Sequence, residues 1–382
     1  MPQVCAVVMA GGRGERFWPQ SRLKRPKQFL NLTGNGTMIQ EAVRRILPLV
    51  PAERVFVVTG SDYADTVREQ LGAIKRGLGA EASSVPPENV IVEPEGKNTA
   101  PCLGLAASIL ARRYPDRHDL VMVVLAADHL IKDEPEFLRV LGAAAELAAS
   151  RRGVHVTLGI WPSYAETGYG YIELAGQVAE DGWITAYAAA HFTEKPDKLK
   201  AQRFLAGRKH LWNSGMFVWR VDTLRQSIDQ HLPGLAAGLR IVDEALAVET
   251  SPAVAAAEVA GAIRAAYQLA EPVSIDYGIM EKVSDIMVLP GNFGWDDVGS
   301  WLALERILPA DGHENVVVGS HIGIDTTGCI VFSEKRLVAT VGVENLIVVE
   351  TDDATLICRK ERAQEVKRVL AALRESGETR YL

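Results

Sequence analysis

The 382-residue sequence holds only four cysteines, Cys5, Cys102, Cys329 and Cys358, and no two of them form a CxxC pair. That spacing excludes a zinc knuckle and a disulfide framework, so reduced, mostly buried thiols are expected. No apolar run reaches the ~18 residues of a membrane span, and the N-terminus shows neither a basic stretch nor a secretory cleavage site. A cytoplasmic protein with no membrane partner is expected. A surplus of positive charge is missing too: 41 Lys and Arg against 48 Asp and Glu leave a formal charge of −7, the wrong sign for a nucleic-acid partner. The eight histidines are scattered and suggest no zinc site. No repeat is regular enough for a long solenoid. The glycine-rich start matches neither GxGxxG nor GxxxxGK[ST], which disfavours a dehydrogenase or a P-loop ATPase.

What is present is a globular composition, 48% hydrophobic and 23% charged, with enough chain for two domains and a substantial core. Apolar runs alternate with helical patterns. VCAVVMA (4–10), RVFVVTG (54–60), NVIVEP (89–94) and LVMVVLAAD (120–128) read as strands. TMIQEAVRRILPLV, YADTVREQLGAIK, TAPCLGLAASILARRY and FLRVLGAAAELAAS read as helices. Near-continuous apolar strands separated by helices predict an α/β fold with a sheet covered on both faces. HVTLGI, YGYIEL, AYAAAHFTEKP and WNSGMFVWR continue as strands, and the alanine-rich stretch 234–270 as helix broken at Pro252. Short strands from about 312 and a last helix, AQEVKRVLAALRES, form a small β module.

Residues 7–30, VVMAGGRGERFWPQSRLKRPKQFL, place three glycines and six cationic side chains directly after the first strand. In open α/β sheets that turn is the usual phosphate cradle. Gly11, Gly12 and Gly14 would let backbone amides approach a nucleotide. Arg13, Arg16 and Lys27 offer charge-assisted bonds to phosphate oxygens, with Pro26 fixing the backbone before Lys27. Asp128 ends the strand 120–128, so its carboxylate is expected at the same sheet edge; the plainer reading is a helix cap. In TGYGYIE, Gly168 and Gly170 would let a ligand pack close to the backbone or merely turn a strand edge. Glu194 and Lys195 would grip hydroxyls and a phosphate if a bend at Pro196 turned them together, and otherwise form a surface ion pair. Asn213, polar among aromatics, suggests burial with a hydroxyl partner. Trp212, Met216, Phe217 and Trp219 read as core.

The string GGRGERFWPxSRxxxPKQ is far more specific than its glycines. With ENVIVEPEGKNTAP, LAADH, TGYGYIE, FTEKPD, LWNSGMFVW, SIDYGIMEK and NFGWDDVGSW following in order, the chain resembles the sugar nucleotidyltransferases, in particular their mannose-1-phosphate guanylyltransferase branch. The resemblance spans roughly residues 4–301 and extends to the β module. It implies a Rossmann-like nucleotidyltransferase domain over 1–305, with a mixed, mainly parallel sheet, and a β-rich module with a terminal helix over 306–382.

The resemblance further implies transfer of GMP from GTP to α-D-mannose 1-phosphate, Mg²⁺ held by Asp128 and Asp297, and a homodimer. Ala126 stands where the family's LPADH block has proline, and Asp296 beside Asp297 leaves two candidates for the second carboxylate. Arg13, Arg16, Lys27 and Lys195 would neutralise the phosphates. Glu93, Gly96, Asn98 and Thr99 would read the base and ribose, with Lys97 facing solvent. Gly170, Glu194, Asn213 and Asp276 would hold the sugar. Two alternatives stand beside this reading: a glucose-1-phosphate enzyme using UTP or dTTP, and a non-catalytic GDP-sugar sensor. A fused isomerase barrel is not expected, because about 80 residues follow the core and no His and Glu cluster is present.

Overall fold

The computed structural model describes residues 2–72, 74–75, 82–116, 119–181, 184–248 and 251–382. The chain forms two compact units, and neither is contiguous. One comprises Met1–Gly11, Ala42–Ala127 and Ile131–Trp295, the other Gly12–Glu41, Asp128–Leu130 and Asp296–Leu382.

In chain order the first elements are β1 (Val4–Met9), α1 (Met38–Ile46), β2 (Val55–Gly60), α2 (Ala64–Leu71), β3 (Ile74–Lys75), β4 (Ala82–Ser83), β5 (Val90–Glu93), α3 (Thr99–Arg113), β6 (Val121–Ala126) and α4 (Glu134–Ser150). Then come β7 (His155–Ile160), β8 (Tyr171–Asp181), β9 (Ile184–Thr193), α5 (Lys198–Gly207), β10 (His210–Arg220), α6 (Val221–His231), α7 (Pro233–Ala247), α8 (Pro252–Leu269) and β11 (Ile286–Gly291). Nine of these strands form one sheet in the order β5-β2-β1-β6-β10-β7-β11-β9-β8. β5, β2, β1 and β6 run parallel, β10 enters antiparallel to both β6 and β7, and β11 runs parallel to β7. The parallel strands are the continuous apolar ones, as a sheet buried on both faces requires. Cys5, Val7, Val58, Met122 and Val124 pack with Leu103, Leu235 and Leu239 from α3 and α7 in one core.

The alanine-rich stretch is the helix pair α7 and α8, and 249–250 lie outside the described residues. Its small residues are packing devices: a Cβ on Gly238 would stand 2.7 Å from the Ala266 carbonyl oxygen. Two expectations differ from the structure. YADTVREQLGAIK does not stay helical: α2 stops at Leu71, Gly72 follows, and Ile74–Lys75 pair antiparallel with Ala82–Ser83, with Ala73 outside the described residues. Nor does the glycine turn open a helix. Two short 3₁₀ turns, Glu15–Phe17 and Lys27–Phe29, intervene before α1, so no helix N-terminus forms the cradle.

The second unit carries α9 (Leu304–Ile307), β12 (Val316–Val318), β13 (His321–Thr327), β14 (Ile330–Ser333), β15 (Val338–Glu344), β16 (Leu346–Glu350), β17 (Thr355–Arg359) and α10 (Val366–Glu375). β12, β14 and β16 pair in parallel on one face and β13 with β15 on another, while β17 closes the first sheet antiparallel. The chain thus winds as a short parallel β-helix, too few turns for a sequence repeat. Its apolar face does not pack on itself alone. Phe17, Trp18, Leu30 and Leu32 from the glycine-loop segment share a core with Trp301, Ile330, Phe332, Ile347, Val366 and Leu370. That shared core is why the compact unit gathers three stretches of chain, whereas the sequence suggests a contiguous module from 306.

Candidate active site

Within the second unit, Gly14 has φ +60, and a Cβ there would stand 2.3 Å from Cβ of Lys27. Only glycine fits, in backbone conformation and in space. Ser21 Oγ donates to the Gly14 carbonyl at 2.8 Å and holds the turn. Lys27 follows Pro26, whose φ is −66, and is only 4% exposed. Its Nζ lies 3.0 Å from Asp128 Oδ2 and donates to the Asp297 carbonyl at 2.6 Å. A buried ammonium must be paired, and these contacts draw two stretches of chain some 170 residues apart onto one side chain (297 − 128 = 169).

The same residues line a cavity of about 470 Å³ into which Arg13, Arg16, Lys27, Asp128, His129 and Asp297 face. Burial works to raise the Asp128 carboxyl, but the charges of Lys27 and His129 and the hydrogen bond from Lys27 outweigh it and hold the group below its ordinary range. An ionised Asp128 follows at neutral pH.

The two neighbouring aspartates part company. Asp296 is buried; its carboxylate accepts from Arg306 Nε at 2.5 Å, from Arg306 Nη2 at 3.0 Å and from the Val298 amide at 2.8 Å. Asp297 lines the cavity. Val298, between Asp297 and Gly299, has φ +47, a strained conformation for a β-branched residue of the kind that collects at functional sites. The Asp296 amide and carbonyl pair with Leu130 at 3.0 and 2.9 Å, which brings Asp128 and Asp297 to one place. Two carboxylates beside cations are a hard-oxygen donor set that suits Mg²⁺, an ion bound through one or two carboxylates plus phosphate and water. Among the described residues no group of three or more His, Cys, Asp or Glu side chains could form a protein-only metal cage.

The first unit holds two further clusters. In one of them, Asn213 Nδ2 donates to Asp276 Oδ1 at 2.8 Å and the Asn213 amide to the Gly170 carbonyl at 2.8 Å. A Cβ on Gly170 would stand 2.4 Å from Glu194 Oε2, so the missing side chain is space taken by Glu194. Lys195 pairs with Glu194 at 2.5 Å. The bend expected at Pro196 lies one residue earlier, at Lys195 itself with φ +44. Asp276 begins a single π-helical turn, Asp276–Met280, a distortion frequent at functional sites.

Burial, then the nearby Glu194 charge, raises the Asp276 carboxyl to about 6, against smaller lowering by Asn213 and Lys195. Its folded-state pKa therefore exceeds the unfolded value, so folding takes up a proton between the two. This contribution to stability is present at low pH and declines as pH rises through about 6. Asp276→Asn keeps the acceptor for Asn213 and removes the titration. The variant is expected to match wild type in urea midpoint near pH 4 and to exceed it near pH 7.5, while losing activity; equal midpoints throughout would count against a strained carboxylate here.

At the third cluster Glu93 ends β5, buried, and accepts from Tyr267 of α8 at 2.7 Å. Its other oxygen lies 3.9 Å from where a Gly11 Cβ would be. Burial raises its carboxyl despite the Tyr267 hydrogen bond. Asn98, φ +70, caps α3 by accepting from the Thr99 amide at 2.9 Å. Thr99 Oγ1 accepts from the Ile275 amide at 2.8 Å and so ties this loop to the Asp276 segment. Lys97 does not face solvent: its Nζ donates to the Tyr267 and Ala270 carbonyls at 2.5 and 3.1 Å, capping the end of α8.

A nucleotidyl transferase model matches residues 5–313, and a MannoseP isomerase/GMP-like beta-helix domain model matches 319–373. The chain belongs to the nucleotidyl transferase family. A mannose-1-phosphate guanylyltransferase of Escherichia coli is 38% identical over 375 residues, covering 98% of this chain and 75% of its own. One of Salmonella muenchen is 36% identical over 381 residues, covering 100% and 76%. The crystal structure of mannose-1-phosphate geranyltransferase from Thermus thermophilus superposes with a TM-score of 0.82 at 33% identity, covering 97% of this chain and 99% of that one.

In this nucleotidyl transferase, then, Arg13, Gly14, Arg16, Lys27, Asp128 and Asp297 come together around one cavity. Gly170, Glu194, Lys195, Asn213 and Asp276 form a second group, and Glu93, Asn98 and Thr99 a third, bound to α8 and to the Asp276 segment. Gly11, Gly12 and Gly96 are exposed loop residues. Trp212, Met216, Phe217 and Trp219 are core, as their pattern suggests. Tyr267, Arg306 and Lys367, which also reaches the cavity, carry no sequence signal, since each lies in an otherwise ordinary helix or loop.

Proposed function

We propose that the chain transfers GMP from GTP to α-D-mannose 1-phosphate, giving GDP-mannose and pyrophosphate. One observation carries the reading: a buried lysine clasped between Asp128 and the Asp297 backbone, with Arg13 and Arg16 in the same cavity. A phosphate oxygen of the sugar phosphate attacks the α-phosphorus of GTP. The new P–O bond forms as the bond to the β-phosphate breaks, and the electron pair leaves with pyrophosphate. No protein nucleophile is needed. Two polyanions repel at contact by about 4 kcal/mol per charge pair at an effective dielectric of 20, so the work of this chain is alignment and neutralisation by Arg13, Arg16, Lys27 and Lys195. Asp128 and Asp297 would hold Mg²⁺, which supplies positive charge to phosphate oxygens when bound.

Glu194, Asn213 and Asp276 supply acceptors and a donor for sugar hydroxyls, and Glu93, set by Tyr267, an acceptor for guanine N–H groups. The reading places the enzyme in the cytoplasm, acting on small soluble substrates. No described helix is long and apolar enough to cross a membrane. It also takes the enzyme as a homodimer; exposed Ile322, Ile324 and Val341 on β13 and β15 offer an apolar face.

Pyrophosphate release across GTP, UTP, dTTP and ATP with mannose and glucose 1-phosphates tests the assignment. GTP with mannose 1-phosphate is expected to lead every other pair by at least ~10-fold in kcat/KM, the scale that a few hydrogen bonds provide. Fastest turnover with glucose 1-phosphate and UTP or dTTP would replace it by the glucose reading. GDP-mannose binding with no pyrophosphate release from any pair would replace it by a sensor.

A further inference from the structure

We propose that Lys367, on the C-terminal helix α10, binds the pyrophosphate portion of the nucleoside triphosphate. The proposal rests on the transferase reading above. Setting His129 aside, four Arg and Lys side chains line the cavity, Arg13, Arg16, Lys27 and Lys367, against three carboxylates, Glu15, Asp128 and Asp297. Without Lys367 the balance is even, which is a poor receptor for a ligand with about four negative charges. The helix also removes one of the acids from contention. Arg374 Nη2 binds Glu15 Oε1 at 2.8 Å, so α10 contributes one cation and neutralises one carboxylate.

Both side chains belong to one stripe of the helix. Residues 367 and 374 are seven apart, two turns of α-helix, and so project in nearly the same direction. The stripe beside them, Val366 and Leu370, is buried in the core that also holds Phe17 and Trp18 of the glycine-loop segment. That segment is further stitched to the chain's end. Trp18 Nε1 donates to the Tyr381 carbonyl at 2.8 Å and Arg22 binds Asp353 at 2.6 Å. α10 is therefore held in register with the loop, and Lys367 is placed by packing as well as by charge.

Depth assigns the phosphate. Lys27 and the aspartates it bridges mark the buried end of the cavity, whereas Lys367 is exposed. The reacting α-phosphate belongs beside the buried lysine, and the two phosphates that depart belong toward the open side. Among the described residues Lys367 makes no ion pair, so its charge is not already committed.

Titration calorimetry of wild type, Lys367→Met and Lys367→Arg, with GTP, inorganic pyrophosphate and GMP in one magnesium buffer, tests this. Lys367→Met is expected to weaken GTP and pyrophosphate about tenfold, as for the loss of one charge-assisted contact. GMP is expected to change less than about twofold, and Lys367→Arg to restore most of the loss. Wild-type binding of pyrophosphate with an unchanged affinity in Lys367→Met would overturn the role of Lys367 alone. An equal loss for GMP would also overturn it, since the contact would then lie at the α-phosphate. A wild type that binds neither GTP nor pyrophosphate would overturn the transferase reading together with it.

Discussion

Lys27→Met is expected to lower kcat/KM about 10²–10³-fold, the usual cost of removing one preorganised group from a developing phosphate charge. Methionine keeps the length and apolar stem of lysine, so it fills the same slot beside Gly14 and Phe17 and leaves the fold in place. What it removes is the ammonium that lies 3.0 Å from Asp128 and 2.6 Å from the Asp297 carbonyl. The Asp128 carboxyl then rises, because the largest influence opposing its burial is gone. The loss should fall mainly on kcat, since the ammonium serves the transition state more than ground-state binding. Lys27→Arg is expected to recover little: the ammonium end is buried between Asp128 and the Asp297 carbonyl, and a planar fork cannot replace a point donor there. Steady-state kinetics on folded protein decide it, and turnover within tenfold of wild type in Lys27→Met would defeat the role.

The second large effect separates two neighbours. Asp297→Asn is expected to lower turnover at least ~10²-fold with a smaller change in urea midpoint than Asp296→Asn shows, because its carboxylate lines the cavity and is a proposed holder of the divalent ion. Asp296→Asn should do the reverse. Its carboxylate is 7% exposed and receives Arg306 and the Val298 amide, so the variant is expected to lose about 2 kcal/mol of stability, the scale of a damaged buried ionic network. The protein that remains folded should retain most of its activity. Midpoint and turnover measured on both variants check this, and an inactive, fully stable Asp296→Asn would exchange the two roles.

Much of the site is legible along the chain because its chemistry is local. The glycine run with interleaved arginines follows β1 and brings Arg13 and Arg16 to the cavity, and Asp128 lies two residues beyond Ala126, the last residue of β6. The aromatics at 212–219 are core because their neighbours on the strand are apolar, a pattern visible without coordinates. Other features were not legible. Lys97 looks like a surface residue until α8 ends against it. Tyr267 sits in an alanine-rich helix, and only long-range packing brings its hydroxyl to Glu93. The β11 segment, which carries Pro290, is not among the strands read from the sequence, yet it pairs parallel with β7 throughout.

Periodicity and residue type thus point to the fold class, and ordered motif strings to the family, because apolar alternation and short motifs are properties of local stretches. Which aspartate enters the cavity is a different kind of fact. Asp296 and Asp297 have the same chemistry and adjacent places in the chain, and they are told apart by a backbone bridge to Leu130, a left-handed Val298 and a guanidinium from Arg306. The partners of those contacts lie from two to 166 residues away in sequence (296 − 130 = 166). Long-range pairing of that sort depends on how separate stretches pack around a shared core, and no local pattern encodes it.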